Sequence, residues 1–462
     1  MPIQLKHSRT AIATAALTLL GAAAGSAWAQ ADVTQRVEIT GSSIKRIASE
    51  GALPVQVIDA AQIQRSGATS VAEVIQKLPA MQGFQIADIA VGTNSGGIVT
   101  ASIHDIGASY TLVLLNGRRI APTGSGSTIN LNAIPMSAIQ RIEVLTDGAS
   151  ALYGSDAIAG VVNFVLKRNE QGGAITVRAD VPLEGGGKAT NASITYGLGD
   201  LDKDGYSIVG TFRRDDQKQL KATDRSFGQT AYLPFTHNGI NYIYDRTSTS
   251  AVPANATVSF TTASGLPSHS FNPYQKANGK CADRNFLSLN NTTTATSITE
   301  NCAFDFVSTI EIFPESVRDS AYLSGQAKLG SKVTLFSDLA FSRLDLTARI
   351  APNPVPVAIP LTSSLYTTYV LPYLSASEAA NVRAVSASYR AWDFGTRDSQ
   401  TITDSKHAVL GAEVDLGAWS LTAAATWSEN AINEKYVGGY FRNAEFRSML
   451  ANGQFNPFLE YG

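Results

Sequence analysis

Between residues 174 and 429, seven segments alternate apolar and polar side chains with a period of two, as strands with one greasy and one wet face do. In the first, Ile175, Val177, Ala179 and Val181 share one side, and Thr176, Arg178 and Asp180 the other. The second sets Ala192, Ile194, Tyr196 and Leu198 against Asn191, Ser193 and Thr195; the third sets Tyr206, Ile208 and Phe212 against Ser207, Thr211 and Arg213. The fourth alternates Ala321, Leu323, Ala327 and Leu329 with Ser324, Gln326 and Lys328. Val333, Leu335, Leu339 and Phe341 mark the fifth, and Ala408, Leu410, Ala412, Val414 and Leu416 the sixth. In the seventh, Trp419, Leu421, Ala423, Ala425 and Trp427 oppose Ser420, Thr422, Ala424, Thr426 and Ser428. A Trp at each end of that apolar face suits the two aromatic girdles of a membrane β-barrel. From Glu429 onward the pattern reads as loop.

The connections have a parity of their own. Those after the second, fourth and sixth segments are tight turns (200–204, Gly330-Ser331 and Gly417-Ala418), whereas those after the first, third and fifth are longer, the latter two of roughly 100 and 55 residues. Outer-membrane barrels place short turns in the periplasm and long loops outside, and a soluble sandwich has no reason to alternate this way. The first long connection carries Tyr232, Phe235, Tyr242, Tyr244, Phe271 and Tyr274 among Asn residues, His237 and Arg246. These rings offer stacking faces to a planar or sugar-like ligand, or pack on one another within the loop.

Residues 51–168 carry a different pattern, that of a compact α+β domain. Pro54 to Ile58 alternates as a strand, and Ala60–Arg65 and Ser70–Leu78 follow as short helices. Ser70 and Glu73 form an S-x-x-E capping box, and Pro79 stops the second helix. Thr111–Leu115 is an apolar strand that leads into Asn116-Gly117, the dipeptide that supplies positive φ at a type I′ hairpin, with Arg118 to Ile120 returning. A helical turn over Met136 to Ile139 precedes a strand at Arg141–Leu145, closed by Asp147-Gly148, and Val161–Leu166 is a last buried-type strand. Glycine is abundant and charge sparse, so the domain is expected to fold without a large core.

The N-terminus sets the compartment. Lys6, His7 and Arg9 precede an uncharged apolar run from Ala11 to Ala24, and Ala27-Trp28-Ala29 is an A-x-A cleavage signal, so residues 1–29 read as a secretory signal peptide. Residues 30–50 are polar and contain one short β-prone stretch, Val37-Glu38-Ile39-Thr40. That stretch is either a plain tether or a strand that adds itself to a partner's sheet edge. In an oxidising compartment the only two cysteines, Cys281 and Cys302, make a disulfide across an Asn/Thr-rich loop, worth roughly 3 kcal/mol in the chain-entropy description. A zinc site is the weaker alternative, because the five His residues (His7, His104, His237, His269 and His407) have no i, i+4 pair.

Composition narrows the class further. Of 462 residues 44% are hydrophobic and 16% charged, with 36 Lys+Arg against 38 Asp+Glu. That balance argues against a disordered chain and against a basic nucleic-acid binder. Past the N-terminus no apolar run approaches the roughly 18 residues of a membrane-spanning helix. Asp200-x-Asp202-x-Asp204-Gly205 begins like a calcium loop but has Thr211 at the twelfth position, and reads as a solvated turn. Gly124-Ser125-Gly126 lacks the third glycine and the helix of a dinucleotide fingerprint. With no nucleophile elbow and no phosphate loop, the reading is of a protein that is not an enzyme and takes no cofactor or metal.

Together these stretches resemble one family, the TonB-dependent outer-membrane receptors. TLVLLNGRRIAP (111–122) and INLNAIPMSAIQRIEVLTDGASALYGSDAIAGVVNFVLKR (129–168) resemble the plug-domain signature, and PVQVIDAAQIQRSGATSVAEVIQKLP (54–79) its opening strand and helices. VEITGSSIKR stands where the family carries its TonB box. The resemblance implies a signal peptide (1–29), a box segment and linker (30–50), a plug (51–168) and the N-terminal part of a transmembrane β-barrel with extracellular loops (169–462). It also implies that TonB pairs with Val37, Glu38, Ile39, Thr40 and Gly41, and that an external small ligand, most often an iron–siderophore complex in this family, enters a barrel set in outer-membrane lipid. In the plug it picks out Asn116, Gly117, Arg118, Arg141, Glu143, Asp147, Gly148, Tyr153, Gly154 and Gly160, with the glycines serving tight turns and close packing to the barrel wall. Arg141 and Glu143 share a strand face, as a polar contact in the lumen or a solvated pair.

Family barrels have about 22 strands. Seven segments therefore lead to the expectation of a partial chain, whose odd strand count would leave its end outside the cell. An interaction or signalling receptor without transport, or a non-functional fragment of a transporter, is the alternative function. Signalling members carry an extra folded N-terminal domain, for which the stretch between Ala29 and Val37 has no room.

Overall fold

The computed structural model describes residues 55–68, 70–81, 97–124, 126–146, 149–283, 287–288, 292–294 and 296–459. All belong to one compact unit, Leu53–Gly462. The signal peptide, the Val37–Gly41 stretch, Asp147 and Gly148 lie outside the described residues.

The first domain begins with β1 (Val55–Asp59), whose last residue starts helix α1 (Ala60–Arg65). The Asp59 carboxylate accepts the Gln62 N–H at 2.7 Å and the Gln62 side chain accepts the Asp59 N–H at 2.9 Å, a reciprocal box one helix earlier than the one expected at Ser70. Ser70 does cap helix α2 (Val71–Gln76), accepting from Glu73 N–H at 3.3 Å. Strands β2 (Thr111–Leu115) and β3 (Arg118–Arg119) are joined by Asn116 and Gly117 at φ 50° and 74°, both left-handed as a type I′ turn requires. With β4 (Ile139–Leu145) and β5 (Gly160–Leu166) they form one sheet in the order β1-β4-β5-β2-β3, in which only β2 and β5 run parallel. Contrary to the expectation of a slight core, Val113, Leu115, Ile142, Val144, Val162 and Phe164 pack with Ile75, Met81, Leu131 and Ile134 into one buried cluster. β5 is apolar at nearly every position because the sheet buries both its faces.

All seven alternating segments are strands of a single antiparallel sheet, here called the wall. In chain order these are β6 (Gly172–Asp180), β7 (Ala189–Leu198) and β8 (Tyr206–Gln217). Beyond the first long connection, whose strands are β9 (Tyr232–His237), β10 (Ile240–Asp245), β11 (Asn255–Phe260), β12 (Ser268–Phe271), β13 (Thr292–Thr293) and β14 (Ser297–Glu300), come wall strands β15 (Glu315–Leu329) and β16 (Val333–Ile350). The second long connection holds β17 (Pro354–Ile359) and β18 (Val382–Arg390), and β19 (Arg397–Asp415) and β20 (Ser420–Gly438) complete the wall. Wall order is β6-β7-β8-β15-β16-β19-β20, a meander. β20 continues through Glu429 to Gly438, where a loop was expected, because Lys435 and Glu434 still pair with Gln400 and Thr401.

The wall inverts the burial of a soluble sheet. Ser207, Thr211, Arg213, Ser320, Ser324, Ser342, Thr401 and Thr403 are buried, while Ile208, Phe212, Leu323, Leu339 and Leu410 on the opposite parity are exposed. The polar parity faces the first domain, and the greasy parity faces outward, as a lipid-contacting strand requires. At the 200–205 turn, Asp200 accepts N–H bonds from Asp202 and Lys203. The Asp202 N–H holds the Asp200 carboxyl at about 2.

The outer connections are not independent loops. β11, β12, β13 and β14 from the first and β17 and β18 from the second join one sheet in the order β13-β14-β12-β11-β18-β17. A second buried cluster fills it, with Phe271, Val258, Tyr389 and Val370 packed beside Phe446, Phe455 and Phe458. Phe446 lies on a helix over Asn443–Ala451, in a stretch that had read as loop. Arg390 ties the two connections together, donating to Pro352 O at 2.7 Å and Ser248 Oγ at 2.6 Å and stacking 5.0 Å from the Phe304 ring centroid. Burial, then the neighbouring Arg397, pushes its guanidinium down to about 10. Cys281 and Cys302 are bonded in this outer domain with Cα atoms 5.8 Å apart.

Candidate functional site

The seam between the first domain and the wall is where polar side chains converge. Asp338 on β16 is its hub: it accepts from Asn116 Nδ2 at 3.3 Å and from the Tyr322 hydroxyl at 2.7 Å, and it pairs with Arg168. Tyr322 comes from the adjacent wall strand, while Asn116 and Arg168 come from the first domain, at its hairpin and its exit. Asp338 is only 3% exposed, so its charge is held by these partners rather than by water. Phe336, two residues earlier on the same face, lies under two guanidiniums, Arg118 at 5.6 Å and Arg168 at 5.5 Å from its ring centroid.

Asn116 does more than turn the hairpin. Its N–H donates to Phe164 O at 2.9 Å, its side-chain oxygen accepts the Leu166 N–H at 2.8 Å, and its amide reaches Asp338. Gly117 N–H donates to Asn163 Oδ1 at 2.9 Å, and Asn163 Nδ2 in turn donates to Glu143 at 3.3 Å. Glu143 is 1% exposed and takes Arg141 Nε at 2.7 Å, so this pair is a buried bridge inside the domain and not a solvated one. Elsewhere along the seam, Asn132 accepts from Arg318 Nη2 at 2.5 Å, and its carbonyl accepts from Ser342 Oγ at 2.9 Å. Thr211 Oγ1 donates to Ser137 at 2.9 Å, Ala121 N–H to Ser428 at 2.9 Å, and Arg178 Nη1 to Gly67 O at 2.6 Å. Bonds therefore run from the domain to β6, β8, β15, β16 and β20. Beside Arg178 and Arg318 they border a cleft of about 550 Å³, which Glu73 and Asn191 also line.

Residues 48–161 match the family model described as TonB-dependent Receptor Plug Domain. The domain is a TonB-dependent receptor plug. The greasy outward parity of the wall is that of strands in a membrane β-barrel. Solved structures similar to the chain include a variant of the ferric enterobactin receptor PfeA from Pseudomonas aeruginosa in complex with enterobactin, at 15% identity over 83% of this chain and 50% of that one, TM-score 0.35. The ferric preacinetobactin receptor BauA from Acinetobacter baumannii matches at 12% over 83% and 47%, TM-score 0.35. The ferric-catecholate import receptor Fiu from E. coli K12 matches at 10% over 86% and 52%, TM-score 0.37. The chain spans about half the length of these solved receptors.

Within the plug the glycines divide by role, and none of the described three packs against the wall as expected. A Cβ on Gly160 (φ 141°) would lie 2.2 Å from Leu145 O and 2.6 Å from Ile103 Cδ1, so this glycine lets the plug pack on itself. Gly117 and Gly154 have open space around the missing Cβ and are needed for their positive φ alone. Tyr153 packs at the edge of the cluster of Leu112, Leu114, Leu145 and Val161, and its carbonyl accepts from Arg119 Nη2 at 3.1 Å. Of the loop aromatics, Phe271 is buried core, whereas Phe235, Tyr242 and Tyr244 are exposed on the β9–β10 hairpin, with Phe235 stacked 5.3 Å from Tyr242. Sequence reasoning missed Asp338, Arg168, Tyr322, Arg318, Asn132 and Asn163. The one available signal was an acid on the wet parity of the fifth alternating segment.

Proposed function

We propose that the protein is a TonB-dependent uptake receptor, in which the plug blocks a barrel lumen until TonB pulls on Val37–Gly41. What carries the reading is a plug domain bonded along its seam to the polar face of a wall whose other face is greasy. An extended segment that adds to TonB's sheet bears load along the strand direction through successive backbone hydrogen bonds. The load reaches the plug through β1, which pairs with β4 from Val55↔Leu145 to Asp59↔Arg141. The Asp338 hub, the Asn132 bonds and the Ser137 and Ala121 contacts then have to break or shift for a path to open.

The cargo is a scarce external ligand, and a ferric siderophore is the first candidate because it is the commonest cargo of the family that the sequence resembles. The exposed rings of Phe235, Tyr242 and Tyr244 supply stacking faces for a planar ligand group on the outer side. Deleting Val37–Gly41 tests the mechanism: energised uptake of a labelled ferric siderophore is expected to vanish while surface binding persists. Uptake that continues without the segment rules out TonB coupling through it, and binding without uptake in the unaltered protein favours a receptor that does not transport.

A further inference from the structure

Two arginines where the outer domain meets the wall have no acid to neutralise them. Arg390, the last residue of β18, is 3% exposed, and its partners are the Ser250 and Pro352 carbonyls, the Ser248 hydroxyl and the Phe304 ring. Arg397, the first residue of β19, donates from Nε to Ala351 O at 2.8 Å. The two guanidiniums are thus moored on consecutive carbonyls, Ala351 and Pro352, and Arg397 is close enough to disfavour charge on Arg390. Among the described residues neither Nη of Arg397 has a hydrogen-bond partner, and no carboxylate pairs with either arginine. Other arginines that are largely buried do have one: Arg168 meets Asp338, Arg141 meets Glu143 and Arg213 meets Asp215.

The acids in this part of the chain are engaged elsewhere. Asp393 accepts the Tyr389 hydroxyl at 2.8 Å. Asp398 stands opposite Arg349 in the register of β19 and β16, lies 3.8 Å from its Nε and accepts Thr396 Oγ1 at 2.7 Å. Arg397 shares the parity of Thr401, Thr403 and Ser405, the buried face of the wall, and Asp398 takes the other. Glu434 acts on Tyr440 and on neither arginine. A charge held away from water is costly unless an opposite charge or hydrogen bonds compensate it. Carbonyl dipoles and a ring face offset part of that cost at Arg390, yet both side chains keep their positive charge. What the junction lacks is a negative group.

We infer that Arg390 and Arg397 hold one small oxyanion, a phosphate or a carboxylate, between the outer domain and the wall. The two Nη groups of Arg397 are the parallel donors that fit two oxygens of such an anion. Burial of Arg390 limits the ligand to a small one. Because Arg390 already bonds to both long connections, the bound anion ties them to β19. The site is separate from the exposed rings of β9 and β10 and does not depend on TonB coupling.

Phenylglyoxal, which modifies arginines that are reachable and unoccupied, tests this on the full purified chain, with modification read residue by residue by mass spectrometry. Inorganic phosphate is expected to slow modification of Arg397 roughly tenfold relative to chloride at equal ionic strength, and to leave Arg214, exposed on the outward face of the wall, unaffected. Arg397→Gln is expected to lose saturable binding of radiolabelled phosphate in equilibrium dialysis, while Arg214→Gln keeps it. Protection no greater than that from chloride overturns the inference, as does phosphate binding that survives Arg397→Gln. So does an Arg397 that the reagent leaves unmodified in chloride, since an anion could not reach it either. Citrate that protects where phosphate does not also overturns it, because the site then serves a group on a larger ligand. Protection is read on the unaltered chain, so a variant that fails to fold leaves the test intact.

Discussion

The Asn116 amide and the Asp338 carboxylate, 222 residues apart in sequence, meet at 3.3 Å across the seam between plug and wall. The same carboxylate takes Arg168 and Tyr322, so the hairpin and the exit of the plug are both fastened to one buried acid. Asp338→Asn is expected to loosen the plug by about 3 kcal/mol, because it leaves the Arg168 charge without its counter-ion. Hydrogen exchange in 111–120 and 160–168 is the measurement, and unchanged protection there would show that the hub does not hold the plug.

Gly160 and Gly117 both have positive φ but differ in the space around them. Gly160→Ala sets a Cβ against Leu145 O, a backbone atom that cannot step aside, and is expected to cost about 3 kcal/mol or prevent the plug from folding. Gly117→Ala meets nothing within 4 Å and is expected to cost only about 1 kcal/mol, from φ alone. Thermal unfolding of the two variants checks the order, and equal losses would remove steric contact as the cause.

The Cys281–Cys302 bond closes a loop within the outer domain. Cys281→Ser with Cys302→Ser is expected to destabilise that domain by roughly 3 kcal/mol through a looser unfolded loop. The wall does not depend on this bond. Limited proteolysis should therefore cut the double variant within 268–303 at concentrations that leave the wall strands whole; cleavage that spreads equally into the wall contradicts a separate outer domain.

His269 sits between two carboxylates of the outer domain, with Nδ1 2.9 Å from Glu378 and Nε2 3.2 Å from Glu300, and Lys276 also reaches Glu300 at 2.5 Å. Burial works against the charged form of both glutamates. Lys276 and His269 outweigh it at Glu300, and Ser375 and His269 at Glu378, so both carboxyls lie below their ordinary 4.5. A depressed folded pKa gives stability that is present above pH 4.5 and lost as pH falls through the folded value. Protease resistance of 268–300 is thus expected to drop as pH falls below 4.5; resistance at about pH 3 equal to that at about pH 6 would contradict the coupling.

Wherever a segment's own neighbours decide its conformation, the sequence was sufficient. The period of two in all seven wall strands follows from one face meeting lipid and the other the plug, and the Asn116-Gly117 turn follows from the need for two positive φ angles. The same parity places Asp338 on the wet face, although the sequence reading did not single it out. It could not say which residues Asp338 meets, because a period describes one strand and not what lies across the lumen.

Tertiary structure alone decided the seam and the outer domain. The two long connections looked like loops because their strands are short and their alternation irregular; each becomes regular only when β11 finds β18 across more than a hundred residues of chain. Phe446, Phe455 and Phe458 likewise lie in the stretch that reads as loop until Tyr389 and Phe271 supply the core they enter. Local propensity is written in neighbouring residues. The partner of a buried charge or ring is chosen by folding, which brings distant groups together so that most find a hydrogen bond or a packed surface.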